Sequence, residues 1–210
     1  MIFGMDPLVL LAFVPASLAL NFTPGPDMLF CVGQGLRGGP RAAAAASLGI
    51  CTGAMVHVTL AGLGLGALVA LHPGLFGLIR WIGVAYLLRI AWTTLNAPPG
   101  RHHVAAAVSS RTAFRQAILV NLTNPKVILF VLAFIPQFVD PGAGSVLGQF
   151  LVFGLVLSTG GFIVTAGASM LAGGAGRTLM GSARFERWVN RVSATIFGVL
   201  ALRLACMRQV

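Results

Sequence analysis

The sequence predicts an all-α integral membrane protein with six transmembrane helices. Only 9% of its 210 residues are charged and 57% are hydrophobic, whereas a soluble domain needs roughly a quarter charged residues to cover its surface. Nearly every apolar run also reaches the ~20 residues that a helix needs to cross a hydrocarbon core of ~30 Å. We therefore expect residues 1–210 to form a single transmembrane domain.

A ten-residue segment in the first apolar run recurs one hundred positions later. The copies are residues 21–30 and 121–130, in which asparagine, threonine, leucine and phenylalanine coincide without a gap. Each copy also holds proline and one charge, features that lipid excludes because freed backbone groups and ions lose water there. We expect two broken helices, the first and fourth spans, that together build one polar site. Two helices kinked for packing alone are the alternative.

The first half of the chain, about 7–95, is predicted to contain three spans. The first covers about 7–35 and is broken at residues 21–26, the second covers about 42–71, and the third about 75–95. A tight basic turn at 37–41 separates the first two spans, and a turn at 72–74 separates the next two. Trp81 and Trp92 lie near the two ends of the third span, as interfacial aromatic residues usually do.

A loop at 96–110 precedes the second half, about 111–208, which is predicted to contain the other three spans. The fourth covers about 112–139 and is broken at 121–126, the fifth covers about 145–171, and the sixth about 192–207. A glycine-rich stretch at 173–176 and a basic amphipathic segment at 177–191 separate the last two spans. We expect the basic segment to contact anionic lipid headgroups.

Arginine is distributed unequally between the two sides of this topology. The side of the termini holds Arg203 and Arg208 beside the last span, whereas the other side holds nine arginines: Arg37, Arg41, Arg101, Arg111, Arg115, Arg177, Arg184, Arg187 and Arg191. The positive-inside rule therefore places both termini outside the cytoplasm and the loop at 96–110 inside. The two halves then form inverted three-helix repeats, an arrangement common among secondary transporters that bind substrate near the membrane midplane.

Each break carries the signal of a helix that begins in mid-span. Asn124 has the pattern of an N-cap followed by proline at the first helical position, and Pro26 starts a helix with an acid in its first turn. The N-termini of these second halves favour an anionic group such as a carboxylate. Carbonyls freed around Leu20 and Val120 suit an ammonium group or a proton carrier, and a region that offers both kinds of helix end matches a zwitterion. The predicted substrate-binding residues are Asn21, Thr23, Pro24, Gly25, Pro26, Asp27, Asn121, Asn124, Pro125 and Lys126.

Asp27 and Lys126 are the only acid and the only lysine within the predicted spans. An isolated charge at membrane depth costs ~2.5–3.5 kcal/mol even on an insertion scale, so each should face a partner or a watery cavity. Asp27 is a candidate proton or ammonium site, and Lys126 a candidate carboxylate or counter-charge site. A static ion pair that locks the two halves together is the alternative.

His57 follows Gly49 and Gly53 at steps of four, on a small-residue face that lets helices approach closely. This spacing places the imidazole inside the bundle, where it is either a proton carrier or a structural histidine. The sequence predicts no metal site and no cofactor. His102 and His103 lack further ligands, and the three cysteines (Cys31, Cys51 and Cys206) form no C-x-x-C pair.

With these residues in view, the chain resembles the LysE/RhtB family of bacterial amino-acid exporters, over essentially its whole length. The motifs that carry the resemblance are Thr23-Pro24-Gly25-Pro26, the glycines Gly35, Gly39, Gly49 and Gly53, Gly62-Leu63-Gly64, Tyr86-Leu87-Leu88, Asn121-x-x-Asn124-Pro125-Lys126, and Phe134-Ile135-Pro136-Gln137-Phe138. Arg89 departs from the family pattern, which usually has an uncharged residue after Tyr-Leu-Leu.

The resemblance implies a six-span exporter of small amino acids or their analogues in the bacterial inner membrane, driven by the proton gradient, and not an enzyme. Its expected partners are the amino-acid substrate, protons and the lipid bilayer, with no nucleic acid. The sequence leaves the oligomeric state open, a homo-oligomer included. An exporter of a metal cation or another small solute, a passive channel and a membrane thiol–disulfide carrier are the alternative classes.

Overall fold

The computed structural model of the chain describes residues 6–71, 73–96, 108–172 and 183–206. These residues form helices and short connections, without a strand among them, which confirms the predicted all-α class. The helices are α1 (Pro7–Phe22), α2 (Pro26–Leu71), α3 (Pro73–Leu95), α4 (Ser110–Leu122), α5 (Pro125–Ala133), α6 (Val146–Ala172) and α7 (Ala183–Cys206).

Both predicted helix breaks are present, and they are narrower than the sequence indicated. α1 and the start of α2 form one bent pair with an angle of 58°, and α4 and the segment up to Phe138 form another with an angle of 56°. Only residues 23–25 separate α1 from α2, and only residues 123 and 124 separate α4 from α5. Two breaks with nearly the same bend therefore interrupt the first and fourth predicted spans.

The second break begins α5 as the sequence predicted. The side chain of Asn124 accepts a hydrogen bond from the Lys126 backbone N–H at 3.0 Å, and Pro125 is the first helical residue. The fourth span was expected to continue as a helix to about 139, but α5 ends at Ala133 and a 3₁₀ turn, Ile135–Phe138, follows. Pro136 explains this change, because proline has no N–H to donate to the carbonyl of an α-helical turn.

The basic turn predicted at 37–41 is a kink within α2. Gly39 has φ 74° and ψ −173°, a conformation almost confined to glycine, and Pro40 follows it directly. The helix continues on both sides of this residue, so the first and second predicted spans are joined with no loop between them.

The end of the chain also differs from the prediction. The basic segment and the sixth span were expected to be separate, whereas α7 runs without interruption from Ala183 to Cys206. The basic residues Arg184, Arg187 and Arg191 therefore belong to the first turns of a longer helix. The glycine-rich stretch at 173–176, most of the loop at 96–110 and both ends of the chain lie outside the described residues.

Within the described residues, two helices are long and apolar enough to cross a membrane, Gly38–Gly64 and Val146–Met170. Each bent pair passes the same test when it is counted as one span, which raises the number to four. Trp81–Leu95 is a shorter apolar helix within α3. The chain is accordingly a helical membrane protein with two broken spans.

Two clusters of buried side chains lie on either side of the breaks. The first, the phenylalanine cluster, contains Phe13, Phe130, Phe134, Phe138 and Phe153, whose rings contact one another, together with neighbouring residues such as Leu20 and Val127. The second, the alanine cluster, contains Cys31, Ala46, Ile50, Ala113 and Ala117.

The two broken helices cross these clusters in opposite order. The first passes from the phenylalanine cluster at Leu20, through its break, to the alanine cluster at Cys31. The second passes from the alanine cluster at Ala117, through its break, to the phenylalanine cluster at Val127. The two breaks therefore lie between the same two packing regions, with the chain running in opposite directions through them.

A candidate binding site at the two helix breaks

The two charges at the breaks each reach across to the opposite broken helix. The Lys126 ammonium at the start of α5 donates to the carbonyls of Leu20 and Thr23 at the end of α1, both at 2.9 Å. The Asp27 carboxylate at the start of α2 accepts from the Asn121 side-chain amide at the end of α4, at 2.8 Å. No direct ion pair between Asp27 and Lys126 is seen in the described part of the chain, since each binds these other groups.

The Lys126 ammonium lies where the end of α1 leaves carbonyl groups without helical partners. The carbonyl end of a helix is the negative end of its dipole, so a cation is stabilised there. Gly25 lies against the lysine, since a β-carbon at this position would be in ordinary contact with its nitrogen, at 3.4 Å. An ammonium has three N–H donors, and the two carbonyls use two of them, which leaves one for a further acceptor.

Three buried side-chain atoms around the breaks have no hydrogen-bond partner among the described residues. They are Oδ1 of Asp27, Oδ1 of Asn121 and Nδ2 of Asn124. Leaving a buried polar atom unbonded costs about 1–3 kcal/mol, so each such atom in a native protein needs a physical explanation, of which bound water, an ion and a ligand are examples. Two of the three atoms are acceptors and one is a donor.

The predicted residues are not all directed at the charges. Asn21 donates to the Leu157 carbonyl of α6 at 3.1 Å and lies against Gly160 and Gly161, so it packs the first break onto α6. Thr23 and Thr123 bond back to their own helices, through Oγ1 to the carbonyls of Ala19 at 2.6 Å and Leu119 at 2.8 Å. The three prolines (Pro24, Pro26 and Pro125) shape the breaks, with Pro26 and Pro125 starting the second halves.

His57 belongs to the same polar region. Its Nε2 lies 3.3 Å from the backbone carbonyl of Asn121, the residue whose side chain holds Asp27. The histidine predicted from the Gly49 and Gly53 spacing therefore faces the second break across the contact between α2 and α4.

Gly53 is the residue that lets Asn121 reach Asp27, a role that the sequence did not indicate. A β-carbon on Gly53 would lie 2.8 Å from both Cβ and Oδ1 of Asn121, closer than such atoms pack. In the sequence, the spacing of Gly49 and Gly53 indicated that another helix approaches closely at this face. It did not indicate that the Asn121 side chain packs against Gly53.

Sequence reasoning also missed a set of small polar contacts between α2 and α6. Thr165 donates to the Ser47 hydroxyl at 3.0 Å, and Cys51 donates to the Ser158 carbonyl at 3.1 Å. Ser158, Thr165 and Ser169 recur at steps of seven and four, which place them on one face of α6. In the ranges that the structure describes, no group of three His, Cys, Asp or Glu side chains could hold a metal ion.

Two broken helices in an apolar bundle, with opposite charges reaching across the breaks, define the class of a membrane translocator. The sequence profile described as LysE type translocator matches residues 18–208. The chain belongs to this family.

Three relatives match the chain over nearly their full lengths. An uncharacterized membrane protein of Vibrio cholerae is 35% identical over 204 residues, which are 96% of this chain and 98% of the relative. A homoserine/homoserine lactone efflux protein of Salmonella typhi is 32% identical over 200 residues, 94% of this chain and 96% of the relative. A leucine efflux protein of Enterobacter is 28% identical over 199 residues, 93% and 94% of the two chains. No solved structure matches the chain.

The contact between Gly53 and Asn121 generates a prediction. Gly53→Ala places a methyl group against the Asn121 side chain and is expected to destabilise the protein by about 1–3 kcal/mol, the usual cost of overpacking. Gly64→Ala on the same helix is the matched control, because nothing lies within 4 Å of its β-carbon. Alanine there should be neutral or stabilising by about 0.5–1 kcal/mol. Thermal unfolding of the two purified variants tests this, and equal unfolding temperatures would contradict the packing described.

Proposed function

We propose that this protein is a secondary active exporter that carries amino acids or close analogues out of the cytoplasm. The observation that carries the proposal is the pair of crossed contacts at the breaks, Lys126 on the end of α1 and Asp27 on the end of α4. These contacts hold two opposite charges at facing breaks inside an apolar bundle. The efflux functions printed in the names of two relatives, for homoserine and its lactone and for leucine, support the same class of substrate.

The groups at the breaks are complementary to an amino acid. The remaining N–H of Lys126, the unpartnered Nδ2 of Asn124 and the first turn of α2 are donors for its carboxylate. The unpartnered oxygen of Asp27 is an acceptor for its ammonium group. Charge-assisted hydrogen bonds of this kind are about twice as strong as neutral ones. The expected cargo is a neutral or cationic amino acid.

Proton coupling rests on Asp27 and His57. Protonation of the Asp27 carboxylate removes the charge that attracts an ammonium group, so a proton arriving from outside promotes release there and its departure restores binding. His57 borders Asn121, the residue that binds Asp27, because its Nε2 lies 3.3 Å from the Asn121 backbone carbonyl. These two side chains are the candidates for the proton path.

The six-span arrangement with inverted repeats remains part of the proposal. It is supported by the nearly equal bends of 58° and 56° and by the opposite order in which the broken helices cross the two clusters. In such transporters the two repeats rock against each other around a site at the midplane. The proposal puts the breaks at that place, between the repeats at about 7–95 and 111–208.

Transport itself is the first test. Inside-out membrane vesicles containing the protein, given an acidic interior, are expected to accumulate labelled amino acids, while vesicles without it do not. Collapsing the proton gradient should abolish the accumulation, because the coupling supplies the driving force. Unchanged uptake across a full amino-acid panel, together with unchanged efflux and tolerance in cells that overproduce the protein, would show that the class of cargo is wrong.

The two charges generate the second test. Asp27→Asn and Lys126→Gln should each insert normally and lose transport by about 10- to 100-fold, since hydrogen bonds to charged groups are worth ~1.5–3 kcal/mol. The double variant should stay inactive, because removing both charges does not rebuild a zwitterion site. Efflux normalised to protein in the membrane is the measurement.

The matched control for the charge variants is Asp140→Asn. Asp140 is an exposed cap whose side chain accepts from the Gly142 N–H, and asparagine keeps that oxygen. This variant should transport at nearly the rate of the unmodified protein. A well-expressed Asp27→Asn, Lys126→Gln double variant with near-normal transport would instead assign the two charges a purely structural role.

The orientation generates the third test. In a variant with Cys31, Cys51 and Cys206 replaced by alanine, a single cysteine at Ile2 should react with an impermeant reagent added outside whole cells. A single cysteine at His103 should react only after the membrane is opened, because the arginine distribution places its loop inside. Labelling of His103→Cys but not Ile2→Cys from outside would reverse the orientation.

A further inference from the structure

The two helix breaks share one hydrogen-bond pattern. At each, the threonine that follows the first half of the span bonds back to the carbonyl four residues earlier, through both its N–H and its hydroxyl. The N–H distances are 3.0 Å for Thr23 to Ala19 and 3.0 Å for Thr123 to Leu119. The bends are also nearly equal, at 58° and 56°, although Thr23 is extended (φ −67°, ψ 119°) whereas Thr123 has φ −95° and ψ 0°.

The two breaks differ in what covers those carbonyls. At the first break, Lys126 binds Leu20 and Thr23, and both of these residues are buried. The corresponding residues of the second break, one hundred positions later, are Val120 and Thr123, and Thr123 is exposed. The residue that corresponds to Lys126 in the first copy is Pro26, which has neither an ammonium nor a backbone N–H. The chain therefore supplies a lysine ammonium to the first break and none to the second, where the nearest basic side chain is His57, with its Nε2 3.3 Å from the Asn121 carbonyl.

A negative charge stands at the break without a cation. Asp27 directly follows Pro26, and its Oδ2 is bound to the side chain of Asn121, the neighbour of Val120. Its Oδ1 is buried without a partner in the described region, as is Oδ1 of Asn121, a residue only 1% exposed. Two acceptors without partners therefore stand at the end of α4, a carboxylate oxygen and an amide oxygen. The helix carbonyls there have partners, since that of Asn121 accepts from the Asn124 N–H at 2.9 Å and that of Val120 from the Thr123 hydroxyl at 3.2 Å.

We infer that this second break, formed by Val120, Asn121, Thr123 and Asp27, binds the primary ammonium group of the substrate. The substrate's ammonium performs there the part that Lys126 performs at the first break. The inference rests on the proposed function and sharpens it. A free primary amine becomes the required feature of the cargo, because only an ammonium offers several donors to this cluster of acceptors.

Placing the chain's own ammonium at this break tests the inference. Pro26→Lys puts a lysine where the first copy lacks one, and the tethered group has an effective concentration on the order of millimolar or higher. The side chain should then occupy the acceptors and exclude the substrate. Pro26→Met removes the ring and adds an uncharged chain of similar length, so it measures the cost of losing proline alone.

We expect Pro26→Lys to transport at least tenfold less than Pro26→Met, at equal amounts of protein in the membrane and equal unfolding temperatures without ligand. In the unmodified protein, an excess of N-acetylated amino acid or of the 2-hydroxy acid should compete at least tenfold less well than the amino acid itself. Equal transport by the two variants would overturn the inference, and so would equal competition by the analogues that lack the amine.

The outcome for the proposed function is read separately. If the unmodified protein transports amino acids but the two Pro26 variants do not differ, the proposed ammonium site is wrong. Amino-acid export is then still supported. A ligand that binds the native state raises the unfolding temperature. If amino acids are not transported and do not raise the unfolding temperature, both the ammonium site and the proposed function are wrong. If the Pro26→Lys variant inserts poorly into the membrane, Pro26→Arg takes its place in the same comparison.

Discussion

A helix that breaks inside an apolar bundle exposes carbonyl groups that water does not reach, and they need donors from the protein itself. At the first break Lys126 provides them, with two hydrogen bonds of 2.9 Å to the end of α1. This contact joins the start of α5 to the end of α1 and so fixes the two broken spans to each other. The position of Asp27, the orientation of Asn121 and the unpartnered atoms at the second break all depend on that arrangement.

Close helix packing is the second requirement, and small residues supply it. Gly53 admits the Asn121 side chain, and Gly160 and Gly161 admit Asn21. On one side of the breaks the core is built from alanine, cysteine and isoleucine, and on the other from mutually contacting phenylalanine rings. The polar groups at the breaks therefore lie between two apolar regions, where electrostatic interactions are stronger than in water.

The sequence predicted what depends on local chemistry and missed what depends on packing partners. Both breaks were predicted from proline, asparagine and the two charges. Such residues are costly within a membrane span and are therefore rare there unless they have a function. The kink at Gly39 and the unbroken α7 were not foreseen, since composition cannot tell a sharp bend from a loop or a basic segment from the start of a longer helix. Nor did the sequence assign Lys126 to the α1 carbonyls: it suggested an ammonium site near Leu20, and the chain's own lysine binds there.

The central claim is that the two breaks form one site for the transported molecule. Its most direct test is an experimental structure of the protein in lipid with a transported amino acid bound. The account predicts density for the ligand between Asp27 and Lys126, with its ammonium at the end of α4 and its carboxylate beside Asn124. Density elsewhere in the bundle, with Asp27, Asn121 and Asn124 keeping their present contacts and their unpartnered atoms, would contradict it.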